Sequence, residues 1–282
     1  MSARMRRLLK IILGAAAAVT LFGLAYAVQD PVVVHYDVPL AGLERPLRVL
    51  QLSDIHASRF DMPVARIKRL VAMTNARQPD IIVLTGDYIS GYPDSWTPAE
   101  ARAALAPLAE LKAPLGVFAV LGNHDSPALM RAALAGTGVQ LLIGEARDIG
   151  PLTIIGADDL LAGNAAVGGL IRAAAALPPD EPALTLAHEP DFMQWLPKRL
   201  PLLIAGHTHG GQIVFPIIGT VPHNPYIDSH LRGKYVERGQ TLVVSSGLGT
   251  SVLPFRIGVT PEMVEITLLP AHSVGRNSGT DR

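Results

Sequence analysis

Five short segments of the sequence carry side chains that can bind metal ions. Their aspartate and asparagine oxygens and histidine nitrogens form a mixed set that suits Mn, Fe or Zn better than Ca or Mg alone. Such a set is large enough to hold two divalent ions and leaves one histidine over. The candidate ligands are Asp54, His56, Asp87, Asn123, His188, His207 and His209, and the remaining histidine is His124.

The spacing of the candidate ligands indicates how they would act. Asp54 and His56 are two residues apart, as are His207 and His209. Residues two apart in an extended chain face the same side, so each pair can bind one ion together. A carboxylate has two oxygen atoms and can bridge two cations, which makes Asp87 the candidate bridge.

His124 is the candidate acid–base residue. It follows Asn123, whose amide oxygen can bind the second ion, while the neighbouring histidine side chain points elsewhere. An imidazole titrates near neutral pH, so His124 is suited to proton transfer.

Each of these segments follows a short apolar run that is typical of a strand, so the ligands are expected at the carboxyl ends of a sheet. Strands alternate with helices, which indicates an α/β layered fold. Consecutive strands near the end suggest a second, partly antiparallel sheet. The predicted strands are 48–52, 81–84, 117–121, 152–155, 183–187, 202–205, 241–245 and 263–269, and the predicted helices are 63–77, 98–111, 128–135 and 167–177.

The N-terminal segment predicts a membrane anchor. Residues 11–28 carry no charge and are long enough to cross most of a ~30 Å hydrocarbon core. Four cations precede this segment and the next is Arg45, so the positive-inside rule places the body outside the cytoplasm. A cleaved signal peptide, with Ala25-Tyr26-Ala27 as the cleavage site, and a core helix are the alternatives. The four cations are Arg4, Arg6, Arg7 and Lys10.

The chain is expected to contain one catalytic domain. We divide it into an anchor or signal segment (1–30), a linker or first strand (31–47), the catalytic domain (48–270) and a disordered tail (271–282). Basic and acidic residues are equal at 24 each, so no overall charge points to nucleic acid. The absence of cysteine excludes disulfides, thiolate zinc sites and cysteine nucleophiles.

Taken in order, the motifs resemble those of the calcineurin-like metallophosphoesterase family over residues 48–269. They are Asp54-x-His56, Gly86-Asp87, Gly122-Asn-His-Asp125, His188 and Gly206-His-Thr-His209. The resemblance implies a four-layer α/β/β/α sandwich and two divalent ions, with Mn favoured. The implied ligands are Asp54, His56, Asp87 and His209 for the first ion and Asp87, Asn123, His188 and His207 for the second.

The resemblance also implies the reaction. A hydroxide between two ions would attack a phosphoester in line, without a covalent enzyme intermediate, while the ions neutralise the phosphoryl oxygens. His124 would donate the proton to the leaving group. A non-catalytic, metal-stabilised binding module is the alternative, but the complete ligand set with His124 favours an enzyme.

Two segments resemble the membrane-associated bacterial branch of the family. They are Gly206-His-Thr-His-Gly-Gly-Gln212 and Ser245-Ser-Gly-Leu-Gly249. The branch implies the bacterial inner membrane and a lipid-linked pyrophosphate such as UDP-2,3-diacylglucosamine, an intermediate of lipid A synthesis. An outward-facing domain favours instead a phospholipid or another envelope phosphodiester. We expect a monomer whose partners are the membrane and a lipid-linked or small phosphoester, and not nucleic acid.

For several residues the sequence allows more than one role. Ser90 stands where phosphoprotein phosphatases carry an acidic residue, so the partner that orients His124 is not identified, and Asp125 is one candidate. Aromatic loop residues belong either to the core or to a groove for acyl chains; they are Tyr88, Trp96, Trp195, Phe215 and Tyr226. The remaining histidines are expected on the surface or in loops; they are His35, His223, His230 and His272.

Overall fold

The structure is a computed structural model that describes residues 1–160, 164–221 and 230–271. Its helices are α1 (Ala3–Ala27), α2 (Val64–Ala76), α3 (Pro98–Leu105), α4 (Pro127–Leu134) and α5 (Asn164–Ala176). Its strands are β1 (Val32–Ala41), β2 (Leu47–Leu52), β3 (Ile81–Thr85), β4 (Val117–Val120), β5 (Val139–Leu141), β6 (Glu145–Asp148), β7 (Thr153–Gly156), β8 (Ala183–Leu186), β9 (Leu202–Ala205), β10 (Val214–Phe215), β11 (Gly219–Thr220), β12 (Gly233–Glu237), β13 (Gln240–Val244) and β14 (Glu262–Ala271). The predicted disordered tail lies outside the described residues from 272 onward.

Alternate residues of the central strands contact different hydrophobic cores. In β3, Ile81 and Val83 lie between two sheets, whereas Ile82 and Leu84 contact helices on the outer face. Successive strand residues point to opposite faces, so a strand buried on both faces is apolar throughout. A third core lies between the second sheet and α5. The layers are therefore helix, sheet, sheet and helix, which confirms the predicted four-layer sandwich.

The first sheet has the strand order β1-β14-β2-β3-β4-β5. Strands β2 to β5 are parallel, and β14 is antiparallel to β2. Strand β1 pairs in parallel with β14 over its whole length. Of the two alternatives for the segment 31–47, a linker or a first strand, the structure shows the strand, because most of the segment is the edge strand of this sheet. Pro39 is tolerated there because an edge strand has one unpaired side.

The second sheet has the order β12-β13-β9-β8-β7-β6. Its inner strands are parallel, and its two edge strands are antiparallel to their neighbours. The expected partly antiparallel second sheet is therefore present. The last strand, β14, lies in the first sheet instead.

Helix α3 is shorter than predicted. It begins with a capping box in which the Thr97 side chain accepts from the Glu100 backbone N–H, and the Glu100 side chain accepts from the Thr97 N–H. It ends at Leu105, and a 3-10 turn follows over Ala106–Glu110. Pro107 lacks a backbone N–H and cannot continue the α-helical hydrogen bonds, which accounts for the early end.

Helix α1 is long and apolar enough to cross a membrane. Only 6% of its most apolar 18-residue stretch is buried against the rest of the protein. It does not pack as a core helix, so that alternative is wrong. Its last turn contacts the body of the protein: the Arg256 N–H donates to the Gly23 carbonyl at 3.1 Å, and the Tyr26 hydroxyl lies 2.7 Å from Thr260 Oγ1. The Arg66 guanidinium donates to the Ala27 carbonyl at 2.9 Å, which satisfies a carbonyl at the helix end.

Candidate metal centre

The candidate ligands meet where the carboxyl ends of both sheets converge. Asp54 and His56 follow β2, Asp87 follows β3 and Asn123 follows β4, all in the first sheet. The second sheet supplies His188 after β8 and both His207 and His209 after β9. The arrangement agrees with the rule that open α/β sheets place their sites at the carboxyl ends of strands.

The backbone of the site is strained at several ligands. Five of them have positive φ angles, in the left-handed region that non-glycine residues rarely adopt. They are Asp54 (51°), His56 (46°), Asp87 (57°), His207 (73°) and His209 (50°). Such clustering of unfavourable backbone conformations is a feature of functional sites, where the surrounding fold holds them in place.

The first group of ligands is Asp54, His56, Asp87 and His209, whose ligand atoms all lie within 4.8 Å of one another. The Nε2 atoms of His56 and His209 are 3.1 Å apart. His209 Nε2 also lies 3.3 Å from Asp54 Oδ1. All four side chains are buried.

The second group is Asn123, His188 and His207. Asn123 Oδ1 lies 3.1 Å from His188 Nε2 and 2.9 Å from His207 Nδ1. The two imidazole nitrogens are 3.2 Å apart. Asp87 Oδ2 lies 3.3 Å from His188 Nε2 and also 3.3 Å from His56 Nε2. Asp87 therefore stands between the two groups, in the position that a bridging carboxylate requires.

The tautomers of two histidines fit a metal site. The Nδ1 of His188 lies 2.7 Å from the Thr85 carbonyl, and the Nδ1 of His56 lies 3.2 Å from the Ile89 carbonyl. A carbonyl oxygen only accepts, so both Nδ1 atoms carry hydrogen and each neutral ring turns an Nε2 lone pair towards the site. Two nitrogen lone pairs at about 3 Å repel each other unless a proton or a metal ion lies between them, and a metal ion can take the place of that proton. The donor set therefore fits two divalent ions.

Electrostatics in the site are dominated by Asp87. Burial disfavours its charge, but His188 and His56 outweigh that effect and hold the pKa of Asp87 well below its usual range. Burial alone would lower the pKa of His56 and of His188, yet Asp87 raises the pKa of both above the usual value. Burial and the charge of His188 lower the pKa of His207 to about 3, which keeps that imidazole neutral for ligation.

His124 lies beside the first group, with its ring centroid 5.1 Å from that of His56. Its Nδ1 donates to the Gly91 carbonyl at 2.6 Å, so the orienting partner is a backbone atom. Asp125 is not that partner. Its carboxylate accepts from the backbone N–H groups of Gly122, Asp87 and Tyr88 instead. Burial and the charge of Asp87 raise the pKa of Asp125 to about 7.

A chain of buried hydrogen bonds supports Asp54 from behind. Gln51 Nε2 donates to Thr85 Oγ1 at 2.9 Å, Thr85 donates to Ser53 Oγ at 2.7 Å, and Ser53 donates to Asp54 Oδ2 at 2.6 Å. Gly206 is required beside this chain, because a Cβ there would lie 1.9 Å from Ser53 Oγ. The motif analysis did not include these supporting residues, since their polar atoms carry no ligand signature.

Arg256 is a further residue that the sequence did not reveal. It is fully buried, and its guanidinium donates to the carbonyls of Ser246, Gly247 and Gly249. That loop contacts Asp54, because the Gly249 N–H donates to the Asp54 carbonyl at 2.7 Å. Arg256 thus fixes the loop against the metal centre. The spacing of a lone arginine gave no signal for this role.

A cleft of about 350 Å³ opens above the ligands. Its floor includes Asp87, Asn123, His124, His207 and His209. Part of its wall is aliphatic and is formed by Ile213, Val221, Val252 and Leu253.

Four of the aromatic residues suggested for an acyl groove are among the described residues, and they lie outside the cleft. Tyr88 is fully buried below the site, where its hydroxyl donates to the Val120 carbonyl at 2.8 Å. Trp96 packs against the core between the first sheet and the helices on its outer face, and its Nε1–H donates to the Ser90 carbonyl. Trp195 and Phe215 do not line the cleft, and Tyr226 is outside the described residues. The described cleft wall is aliphatic where the sequence suggested aromatic side chains.

Two of the unassigned histidines are described by the structure. His35 lies on the edge strand β1, 2.9 Å from Asp37. His230 pairs with Glu237 at 2.6 Å. Neither belongs to the group of ligand atoms that lie close together, and His223 and His272 are outside the described residues.

We expect the affinity for metal ions to decrease as the pH is lowered. Because Asp87 raises the pKa of His56 and His188, each ion must displace protons from the metal-free site as it binds. Mn²⁺ affinity should be at least about tenfold weaker at pH 6 than at pH 8. Titration calorimetry in buffers of different ionisation enthalpy would count the protons released. Binding enthalpy that is independent of the buffer would contradict this prediction.

Comparison with known proteins identifies the family. Residues 47–211 match the family model described as Calcineurin-like phosphoesterase. The uncharacterized metallophosphoesterase YkuE of Bacillus subtilis is 32% identical over 233 residues, which cover 78% of each chain. Phosphodiesterase YaeI of Escherichia coli is 31% identical over 236 residues, which cover 79% of this chain and 83% of that protein.

A longer relative carries the same domain. A bovine (Bos taurus) transmembrane protein with metallophosphoesterase domain is 31% identical over 277 residues, which cover 88% of this chain and 60% of that protein. The residues matched by the family model, 47–211, span the seven candidate ligands and His124. The chain belongs to the calcineurin-like phosphoesterase family and is a metal-dependent phosphoester hydrolase.

Proposed function

We propose that the protein hydrolyses a phosphodiester bond in a membrane lipid, with two divalent ions, preferably Mn²⁺, bound at the cleft floor. The observation that carries the proposal is the combination of metal ligands and an aliphatic wall in one cleft. The ligands suit the phosphate, and Val221 and Leu253 suit the apolar part of a lipid. A fully hydrated small phosphoester would gain nothing from that wall.

The residues would divide the reaction between them. Asp54, His56, Asp87 and His209 would hold one ion, and Asp87 with Asn123, His188 and His207 the other. When bound, such ions lower the pKa of a coordinated water and neutralise phosphoryl oxygens. The chain orients the imidazoles through the Thr85 and Ile89 carbonyls. His124, held by the Gly91 carbonyl, presents Nε2 to the cleft and would protonate the leaving oxygen.

The location of the domain supports a lipid substrate. Helix α1 is long and apolar enough to anchor the protein in a bacterial inner membrane. The cations before α1 favour a domain outside the cytoplasm, where phospholipid phosphodiesters are present. The relative named as a phosphodiesterase supports the same class of bond. A nucleotide lipid pyrophosphate such as UDP-2,3-diacylglucosamine is the competing substrate of the same site.

The proposal is tested with purified full-length protein, Mn²⁺ and mixed micelles. We expect kcat/KM for a diacyl phospholipid to exceed that for the deacylated phosphodiester with the same headgroup by at least about tenfold, because burying a few CH₂ groups contributes this much. Equal values would overturn the lipid substrate. A strong preference for UDP-2,3-diacylglucosamine would overturn the outward orientation. Hydrolysis of bis-p-nitrophenyl phosphate, a soluble diester without acyl chains, measures the phosphodiesterase activity that does not depend on a lipid.

A further inference from the structure

Four apolar side chains are exposed to solvent on two segments that also contribute residues to the cleft wall. Ile217 is 108% exposed and Val252 95%, relative to a reference extended residue, and Ile218 and Leu253 are also exposed. We call these four residues the apolar rim. Ile217 and Ile218 form the tip of the β10–β11 hairpin, and Val252 and Leu253 belong to the loop after Gly249.

The two parts of the rim are joined by hydrogen bonds. Gln212 Nε2 donates to the carbonyls of Ser251 and Leu253, at 3.0 and 3.1 Å. Gln212 Oε1 accepts from the Ser251 N–H at 2.8 Å. The Val214 N–H donates to the Ile257 carbonyl at 2.8 Å. The rim is therefore one connected surface and not two independent loops.

Two residues of the apolar rim have an unfavourable backbone conformation. Ile217 has φ 76° and Val252 has φ 62°, both in the left-handed region. Both residues are β-branched, the type that tolerates this conformation least. In water neither side chain gains burial in return. An apolar surface pressed against the rim would bury both.

The rim is continuous with the contact between the body and α1. Residues 252 to 256 connect the two: the Arg256 N–H donates to the Gly23 carbonyl, and a Cβ at Gly23 would lie 3.1 Å from the Phe255 ring. Val252 is three residues from Phe255, at most about 11 Å along the chain. A bilayer that contained α1 would therefore lie beside the rim.

The charge of the rim segments suits a lipid surface. Residues 212–221 and 251–258 contain no aspartate or glutamate. Their one cation, Arg256, is fully buried. Anionic headgroups would meet no carboxylate there.

We propose that the apolar rim docks into the interface of the bilayer that holds α1, so that the cleft opens directly onto lipid headgroups. This inference rests on the proposed membrane location of α1. The interfacial zone of a bilayer is about 5 to 8 Å deep on each side, which is enough to take the side chains of Ile217 and Val252. Docking there would bring the metal ligands to a phosphate without removing the lipid from its membrane.

The experiment uses the absence of cysteine from the chain. Full-length Ile217→Cys and Val252→Cys variants are labelled with an environment-sensitive fluorophore and placed in nanodiscs, one copy per disc. Val236→Cys is the matched control, because Val236 is 68% exposed but pairs with Thr241, at the end of β13 away from the cleft. We expect lipids with a spin label near the headgroup to quench the rim labels at least about twofold more than the control label.

The possible results distinguish failure of the docking proposal from failure of the proposed hydrolytic function. Equal quenching of the rim and control labels would overturn the proposal. Shielding of the rim labels from aqueous iodide without lipid quenching would assign the rim to a protein partner and would also overturn it. Ile217→Asp should lower turnover of a bilayer phospholipid about tenfold and spare bis-p-nitrophenyl phosphate, whereas Val236→Asp should change neither. Failure of the wild type on every phosphoester would reject the proposed substrate and leave the quenching result standing.

Discussion

Replacement of Asp87 by asparagine is expected to lower kcat by at least about 10³-fold, or about 4 kcal/mol in the barrier. Asp87 Oδ2 lies 3.3 Å from the Nε2 atoms of both His56 and His188. Asparagine removes the negative charge and one acceptor oxygen from this position. At least one ion would lose a ligand, and the two groups would lose their shared anion.

The measurement combines metal content with turnover. The Mn²⁺ bound per chain is determined by mass spectrometry after gel filtration, and kcat is measured on bis-p-nitrophenyl phosphate. Asp94→Asn is the control, because Asp94 is an exposed carboxylate outside the ligand groups. Two retained ions and turnover within tenfold of wild type would refute the bridging role.

Replacement of His124 by glutamine is expected to keep both ions and to lower kcat by roughly 10²- to 10⁴-fold on an alkyl phosphodiester. His124 belongs to neither ligand group, so the metal centre should survive its loss. An alkoxide leaves slowly without a proton. A p-nitrophenolate leaves readily, so turnover of bis-p-nitrophenyl phosphate should fall much less.

The ratio of the two losses is the informative quantity. His35→Gln is the control, because His35 is a half-exposed histidine on the edge strand β1. A similar loss on both substrates would mean that His124 acts in substrate binding or in the structure of the site, and not as a proton donor. Loss of bound Mn²⁺ would make it part of the metal centre.

The positions of the candidate ligands were predictable because they depend on strand ends. A strand that precedes Asp54, Asp87 or His188 is visible as an apolar run, and parallel strands bring their carboxyl ends together. The α/β layered fold followed from the same alternation of strands and helices, whereas the number of layers was implied by the family resemblance. The apolar runs that mark the strands therefore indicate both the fold and the positions of the motifs.

Other parts of the site gave no such signal. The partner of His124 is the Gly91 carbonyl, and a backbone atom is absent from any pattern of side chains. Arg256 donates to backbone carbonyls seven to ten residues before it, and no pattern of residue types marks an arginine for such contacts. The cleft wall depends on aliphatic residues such as Val252, which in a sequence resemble ordinary core positions. The early end of α3 could have been predicted from the sequence, because Pro107 lies within the predicted helix and interrupts α-helical hydrogen bonding.

The positive φ angles at five ligands restrict which residues can evolve there. Aspartate, asparagine and histidine adopt the left-handed conformation more readily than most side chains, and they are also good metal ligands. A change of Asp54 or Asp87 to glutamate would therefore be penalised twice, once by the longer side chain and once by the backbone. Selection for catalysis and selection for folding act in the same direction at these positions. The narrow choice of residues in the motifs thus reflects the turns of the backbone as much as the chemistry of the ions.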